Sequence, residues 1–299
     1  MSEATETSGK EIDAVIALIE ANPFAEEIAD VRVQFDAMGA PIADDIAVEK
    51  VDADGVPCQM LTPPDADTDR VIVYVHGGGY VFGSLVSHGG TVGELARASN
   101  CCALQVDYRL APEHPFPAAV EDACTAYRYL VKNGTAPEKI TIMGDSAGGG
   151  LAIAAIVALR DAGDTTPGAA VCISPWIDLE GTGESVTARE DVDPMVSADM
   201  LHGIAATYLG DADPKSPTAS PIHANLNGLP PVLIQVGERE ILYSDSEALA
   251  TKAKIAGADV TFKEWPEMIH VWHLFYPMLT EARDAIKEAG AFVIAKTGG

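Results

Sequence analysis

The sequence predicts an α/β fold, a mostly parallel sheet covered by helices on both faces. Short apolar runs of strand character (Val71 to Val75, Cys102 to Val106, Ala169 to Ile173, Val232 to Val236) alternate with helix-patterned stretches, and such alternation sets strands side by side with crossover helices between them. A further run, Thr141 to Gly144, breaks at Ser146 and resumes as an alanine-rich helix beyond Gly150. The length, 299 residues, suits a single α/β domain of roughly 250 to 300 residues.

Each element has a local reason. Ser8 and Glu11 fit a capping box ahead of a helix from Glu11 to Glu20, on which Ile12, Val15, Ile16 and Ile19 recur at helical spacing. Asn22-Pro23 stops that helix and starts another, whose stripe of Phe24, Ile28, Val31, Phe35 and Met38 ends at Gly39, a C-cap residue. Ile46 to Val51 and Val56 to Leu61 read as strands joined by an Asp54-Gly55 turn. Thr91 to Ala98 is helical, and Pro117 opens a helix running to about Lys132. Between them, Asp107 to Pro117 holds three prolines in its last six residues, a stiff connection in which Arg109, Glu113 and His114 are expected to brace one another. Glu180 to Pro221 breaks the alternation and reads as an insertion with one helix, Ala198 to Tyr208; Ser244 to Ala256 and Val260 to Trp265 then resume it.

Composition excludes several classes of function. With 45 acidic and 19 basic residues and a formal charge of −26, the chain repels phosphate backbones and anionic membrane surfaces. The surplus reads either as a well-solvated surface or as adaptation to salt. No run approaches the ~18 apolar residues of a membrane span, and residues 1–10 lack the pattern of a signal peptide. Five cysteines form no C-x-x-C pair, so they are expected to be reduced and packed, which places the protein in the cytoplasm.

Chemistry gathers at the break around Ser146. Gly144-Asp145-Ser146-Ala147-Gly148 fits G-x-S-x-G, in which the glycines allow a strained strand-to-helix turn that exposes the serine hydroxyl at a helix N-terminus. Directly after Val75 comes His76-Gly77-Gly78-Gly79-Tyr80, whose glycines leave backbone N–H groups unscreened for a developing oxyanion. A nucleophile followed by an acid and then a histidine, on loops after late strands, completes a triad. His270 lies in such a loop after Trp265 and is the expected base; His273 reads as structural and His76, ahead of the serine, as a residue that holds its loop. Glu240 is the first choice of acid, with Glu238 and Asp245 also near enough in sequence.

Together with Tyr108 to Pro117 and Asp193-Pro194-Met195, these motifs resemble the bacterial hormone-sensitive-lipase-like esterases, from about residue 45 to the C-terminus. The resemblance implies an α/β-hydrolase fold with a helical cap, made of N-terminal helices over 1–45 and the insertion at about 180–221 of a catalytic domain over 46–299. It implies no cofactor and no metal, carboxylesterase activity on short acyl chains, and a homodimer joined through a sheet edge and the last helices. Position by position, Ser146 matches the nucleophile and His270 the base, while Gly78, Gly79 and Ala147 match the oxyanion donors, with Gly77 as a possible replacement. Two positions depart: the family commonly has aspartate at Glu240 and Gly-Phe at Val271-Trp272. Glutamate needs a different loop position, which keeps Asp245 in contention. Phe24, Phe35, Met38, Tyr80, Phe82, Met195, Tyr208 and Trp272 are candidates to line the pocket, most of them expected to be core. The same residues acting on an amide, carbamate or formamide are the nearest enzymatic alternative, and an inactive small-molecule binder on this scaffold is the alternative of another class.

Overall fold

The computed structural model describes residues 3–298, with side chains from residue 9 onward. The strands are β1 (Ala47–Ala53), β2 (Val56–Thr62), β3 (Asp67–Val75), β4 (Cys101–Val106), β5 (Ile140–Asp145), β6 (Ala169–Ile173), β7 (Val232–Gly237) and β8 (Val260–Trp265). They form an eight-stranded sheet in the order β1-β2-β4-β3-β5-β6-β7-β8. Only the β1–β2 and β2–β4 pairs in it are antiparallel, so the mostly parallel sheet expected from the alternation is present. Side chains of β3 alternate between faces: Val71, Val73 and Val75 join one hydrophobic cluster and Ile72 and Tyr74 the other, as the two-residue period of a strand requires.

Helices cover both faces. α3 (Leu85–Ala98) and α9 (Thr280–Thr297) contribute Leu95, Ile286 and Val293 to the Ile72 side. α4 (Ala118–Lys132), α5 (Ala147–Asp161) and α8 (Tyr243–Ile255) contribute Tyr127, Ile156 and Leu249 to the other. The insertion between β6 and β7 carries α6 (Glu184–Ala188) and α7 (Ala198–Leu209), and the chain opens with α1 (Glu3–Glu20) and α2 (Ile28–Met38). No described helix is long and apolar enough to cross a membrane. All five cysteines are buried and unpaired.

Three local expectations are corrected. α1 begins at Glu3, with Ser8 inside it; the Ser8 side chain, on which the capping box depended, lies outside the described residues. α2 begins at Ile28, because residues 21–27 take an open path held by Gln34, whose amide bonds Pro23 O at 2.8 Å and the Ala25 N–H at 3.0 Å. α3 begins at Leu85 rather than Thr91, capped by Ser84 and Ser87 in reciprocal hydrogen bonds. Its glycines obscure the apolar period, since a Cβ at Gly90 would stand 2.4 Å from Ala40 O. Close packing between α3 and the 40–42 loop is what they serve.

α1 does not roof the pocket with its stripe. Ile12, Val15 and Ile19 pack with Met268, Ile269 and Trp272 around the loop that carries His270, and with Leu279 and Ala282 at the start of α9. Burying each such side chain is worth about 1.5–3 kcal/mol, enough to fix that loop from outside the sheet.

Candidate active site

The sharp turn after β5 carries Ser146 at φ 54°, ψ −123°, a conformation costing about 1–3 kcal/mol in a non-glycine residue. Its surroundings over-determine it: the Ser146 N–H donates to Ile173 O at 2.8 Å and its carbonyl accepts from Trp176 N at 2.9 Å. The flanking glycines are steric necessities, for a Cβ at Gly148 would lie 2.0 Å from Val75 O. The hydroxyl faces His270, with 2.9 Å between Ser146 Oγ and His270 Nε2.

His270 Nδ1 lies 2.8 Å from Glu240 Oε2. Glu240 is fully buried, and its other oxygen accepts from the Ser174 hydroxyl at 2.7 Å and the Gly237 N–H at 2.5 Å. Burial pushes the Glu240 carboxyl up against these hydrogen bonds. Burial pushes His270 down, but the hydrogen bond and charge of Glu240, then the charges of Asp193 and Asp145, leave it above the ordinary imidazole value. Of the three carboxylates considered from sequence, Glu240 is the one in contact with the imidazole. Asp245 instead accepts from the Ile177 and Asp178 N–H groups at 2.8 and 2.9 Å, and the exposed Glu238 accepts from the Glu267 N–H.

Val271, where the resemblance expects glycine, sits at φ 48°. Its N–H donates to Ser174 Oγ at 3.2 Å, so the serine that holds Glu240 also holds the residue after the histidine. His273 is buried with Nε2 3.0 Å from Gln235 Oε1, and burial takes it down to about 3, a structural histidine. His76 stacks on Tyr108 at 4.3 Å and donates from Nδ1 to Gly77 O at 2.7 Å.

Gly78 (φ +107°) and Gly79 (φ +61°) have backbone conformations that L side chains avoid, and line the same cavity as Ser146 and His270. Ala147, next to Ser146, is the first residue of α5. Gly77 is otherwise engaged, its N–H donating to Asp145 Oδ1 at 3.0 Å, so the alternative donor is removed. The cavity, solvent mouth included, holds about 530 Å³ of empty space and is walled by apolar side chains from α7 and from the ends of other elements. Phe24, Phe35, Phe82 and Met195 are among them; Tyr80, Tyr208 and Trp272 are core, and Met38 borders a smaller hollow.

The expected brace of Arg109, Glu113 and His114 does not form. Arg109 pairs with Asp122 at 2.8 Å and Glu121 at 3.0 Å, because α4 folds back across the proline-rich connection. Glu113 pairs with Arg32 of α2 at 2.8 Å. Arg32 also donates to Val81 O and Ala111 O, tying α2 to the end of the glycine loop, a link that no local pattern announces. Asp193, whose motif had no assigned role, accepts from the Ile241, Met195 and Val196 N–H groups and so joins the insertion to the Glu240 loop. Asp178, Glu180 and His223 have ligand atoms within 4.8 Å of one another. Asp178 accepts from Thr182, Glu180 pairs with Lys215 and faces His223, and all three lie outside the cavity lining.

A family model described as alpha/beta hydrolase fold matches residues 72–274. The chain is 45% identical over 297 residues to an acetyl-hydrolase of Streptomyces hygroscopicus, covering 96% of this chain and 97% of that one. Among solved structures it is similar to an esterase from the bacterial hormone-sensitive lipase family, at TM-score 0.95 and 46% identity, over 97% of this chain and 99% of that one. It is also similar, at TM-score 0.94 and 44% identity over the same shares, to EstE5 soaked with p-nitrophenyl butyrate.

Proposed function

Because the chain belongs to the bacterial hormone-sensitive-lipase family of α/β-hydrolases and is an ester hydrolase, we propose that Ser146 is its nucleophile, His270 its general base and acid, and Glu240 the carboxylate that orients the imidazole. The observation that carries this reading is the unbroken line from Ser146 Oγ through both nitrogens of His270 to Glu240, at 2.9 and 2.8 Å. Ser146 Oγ attacks the ester carbonyl as its proton passes to His270 Nε2. Glu240 keeps the Nδ1 proton in place and stabilises the imidazolium. The carbonyl oxygen, now negative, meets the N–H groups of Gly78, Gly79 and Ala147. As the tetrahedral adduct collapses, His270 Nε2 returns the proton to the departing alcohol; water then repeats the sequence on the acyl-enzyme and releases the acid.

The substrate class is a small ester with a short acyl chain. A cavity lined by apolar side chains, among them Phe24, Phe35 and α7 residues Met200 and Ile204, suits compact acyl groups. The relative soaked with p-nitrophenyl butyrate agrees with that choice. Residues 1–45 and about 180–221 are taken as the cap over a catalytic domain at 46–299. The unpaired buried cysteines favour a reducing compartment such as the cytoplasm, and the open edge of β8 suits a homodimer.

The test joins labelling to turnover. Phenylmethylsulfonyl fluoride should add one sulfonyl group to the native chain, seen by intact mass, and Ser146→Ala should abolish both the adduct and about 10⁶ of kcat on a short acyl ester. An adduct that persists in Ser146→Ala, or hydrolysis that survives it, removes the assignment. Higher kcat/KM on long than on short acyl chains removes the substrate class.

A further inference from the structure

A second histidine–carboxylate pair lies behind the nucleophile, and the mechanism above makes no use of it. Asp145, the residue before Ser146, is 2% exposed. Its Oδ1 accepts from the Tyr74 hydroxyl at 2.7 Å and from the Gly77 N–H at 3.0 Å, and its Oδ2 faces His88 Nε2 at 3.3 Å. His88, in the first turns of α3, is fully buried. Among the described residues no ion pair joins a lysine or arginine to this carboxylate, so His88 is the counter-ion available to it.

Hydrogen-bond partners face both ring nitrogens of His88. Ser87 Oγ accepts from the Ser84 N–H at 2.8 Å, donates to Ser84 O at 3.2 Å, and stands 2.9 Å from His88 Nδ1. With its proton on Ser84 O, Ser87 Oγ offers Nδ1 an acceptor. In that arrangement an imidazolium bonds at both ends, to Ser87 Oγ and to Asp145 Oδ2. Burial pushes the Asp145 carboxyl up, but the His88 charge and the hydrogen bonds from His88 and Tyr74 bring it down to about 2.

We propose that His88 is a positioning residue for ester hydrolysis: as counter-ion of Asp145 it holds that carboxylate on the Gly77 N–H, fixing the glycine turn whose amides receive the oxyanion, and it cancels a negative charge one residue from Ser146. The inference rests on the reading of Ser146, His270 and the glycine loop given above. An uncompensated Asp145 opposes an oxyanion and strengthens the hold of His270 on its proton, since Asp145 already raises that imidazole. The other groups acting on His270 are Glu240 and Asp193. Those facing Asp145 besides His88 are Tyr74 and His76, with Tyr108 and His273 beyond them.

The test compares His88→Gln, which keeps a neutral donor toward Asp145, with His88→Gln/Asp145→Asn, which removes both charges. On a p-nitrophenyl short-chain ester, His88→Gln should lower kcat by about tenfold to a hundredfold with KM nearly unchanged. It should also move the acid limb of the kcat/KM profile upward by about half a pH unit or more, and the double variant should bring the limb back. Unchanged kcat and limb in a folded His88→Gln, or a limb that stays raised in the double variant, overturns the proposal. If His88→Gln does not fold, Ser87→Ala, which removes the acceptor for Nδ1, should raise the limb in smaller measure, and an unmoved limb there is equally fatal. Sulfonyl labelling of the native chain separates the two levels: no adduct at Ser146 sinks the nucleophile and this inference with it, whereas a labelled chain with insensitive variants sinks only this one.

Discussion

Two buried carboxylates twenty-five or thirty residues ahead of His270 share nearly the same neighbourhood and do different work, and the difference lies in their donors. Glu240 accepts from an imidazole, a hydroxyl and one amide; Asp245 accepts from two backbone amides of the loop after β6. On the proposed roles, Glu240→Gln should cut kcat by about 10⁴, the order seen when a triad acid becomes an amide, while Asp245→Asn keeps most activity because the amide oxygen, placed where Oδ2 now lies, still accepts from both backbone N–H groups. An inactive Asp245→Asn beside an active Glu240→Gln would exchange the assignments. Asp245→Asn also has a signature in stability. Burial pushes the Asp245 carboxyl up to about 7 from an ordinary 3.8, so between these values the folded chain holds a proton that the unfolded chain releases. Its contribution is full below about pH 4 and is lost as pH rises to 7, up to about 4 kcal/mol at ~1.4 kcal/mol per unit. Denaturant unfolding of the native chain and of Asp245→Asn should therefore give stabilities whose difference shrinks across that window in the native chain's disfavour; parallel profiles would show that Asp245 stays ionised. Sequence alone could rank Glu240 first but could not separate the two, because what decides is which backbone amides converge on each carboxylate.

At the scale of elements, what was legible follows from how local the signal is. β5, the Ser146 turn and α5 were readable because an apolar strand, steric glycines and an alanine-rich helix are all properties of adjacent residues. The start of α3 was not, since Gly89, Gly90 and Gly93 serve contacts with residues 40–46 that sequence order hides. Arg32 was missed for the same reason: its partners Val81, Ala111 and Glu113 lie on other segments. α1 shows the converse, a stripe legible from its helical spacing whose partner only the fold supplies. Because that partner is the His270 loop, Ile12→Ala should act on the site from a distance. The lost packing costs about 2–5 kcal/mol. A terminal helix with few other contacts gives way locally before the sheet does. Esterase activity should therefore fall on warming several degrees below the loss of far-ultraviolet circular dichroism, with the two losses coinciding in the native chain. Coincident losses in Ile12→Ala would mean that α1 and the sheet unfold as one unit.

For the whole molecule the governing quantity is a formal charge of −26 on 299 residues. Most arginines and lysines are already committed to carboxylates, among them Arg32, Arg97, Arg128, Lys132, Arg239, Lys263 and Lys296, so the acidic surplus faces water. Salt acts on the two populations in opposite senses. It weakens exposed ion pairs, each worth about 0–1 kcal/mol, and it screens the repulsion among the surplus carboxylates, which favours the compact state. The pairs are short-ranged and persist at moderate screening, whereas repulsion across the surface is long-ranged and collapses as the Debye length falls from about 30 Å at 0.01 M to about 3 Å at 1 M. Repulsion should therefore dominate the response, and the Tm should rise steadily between 10 mM and 1 M NaCl, most steeply at the dilute end where the Debye length changes most. A variant with several exposed acidic residues such as Glu26, Asp30 and Glu49 changed to glutamine should start from a higher Tm and gain less from salt. A native Tm that is flat or falls over this range would mean that the ion pairs outweigh the surplus, and that the acidic surface serves solvation alone.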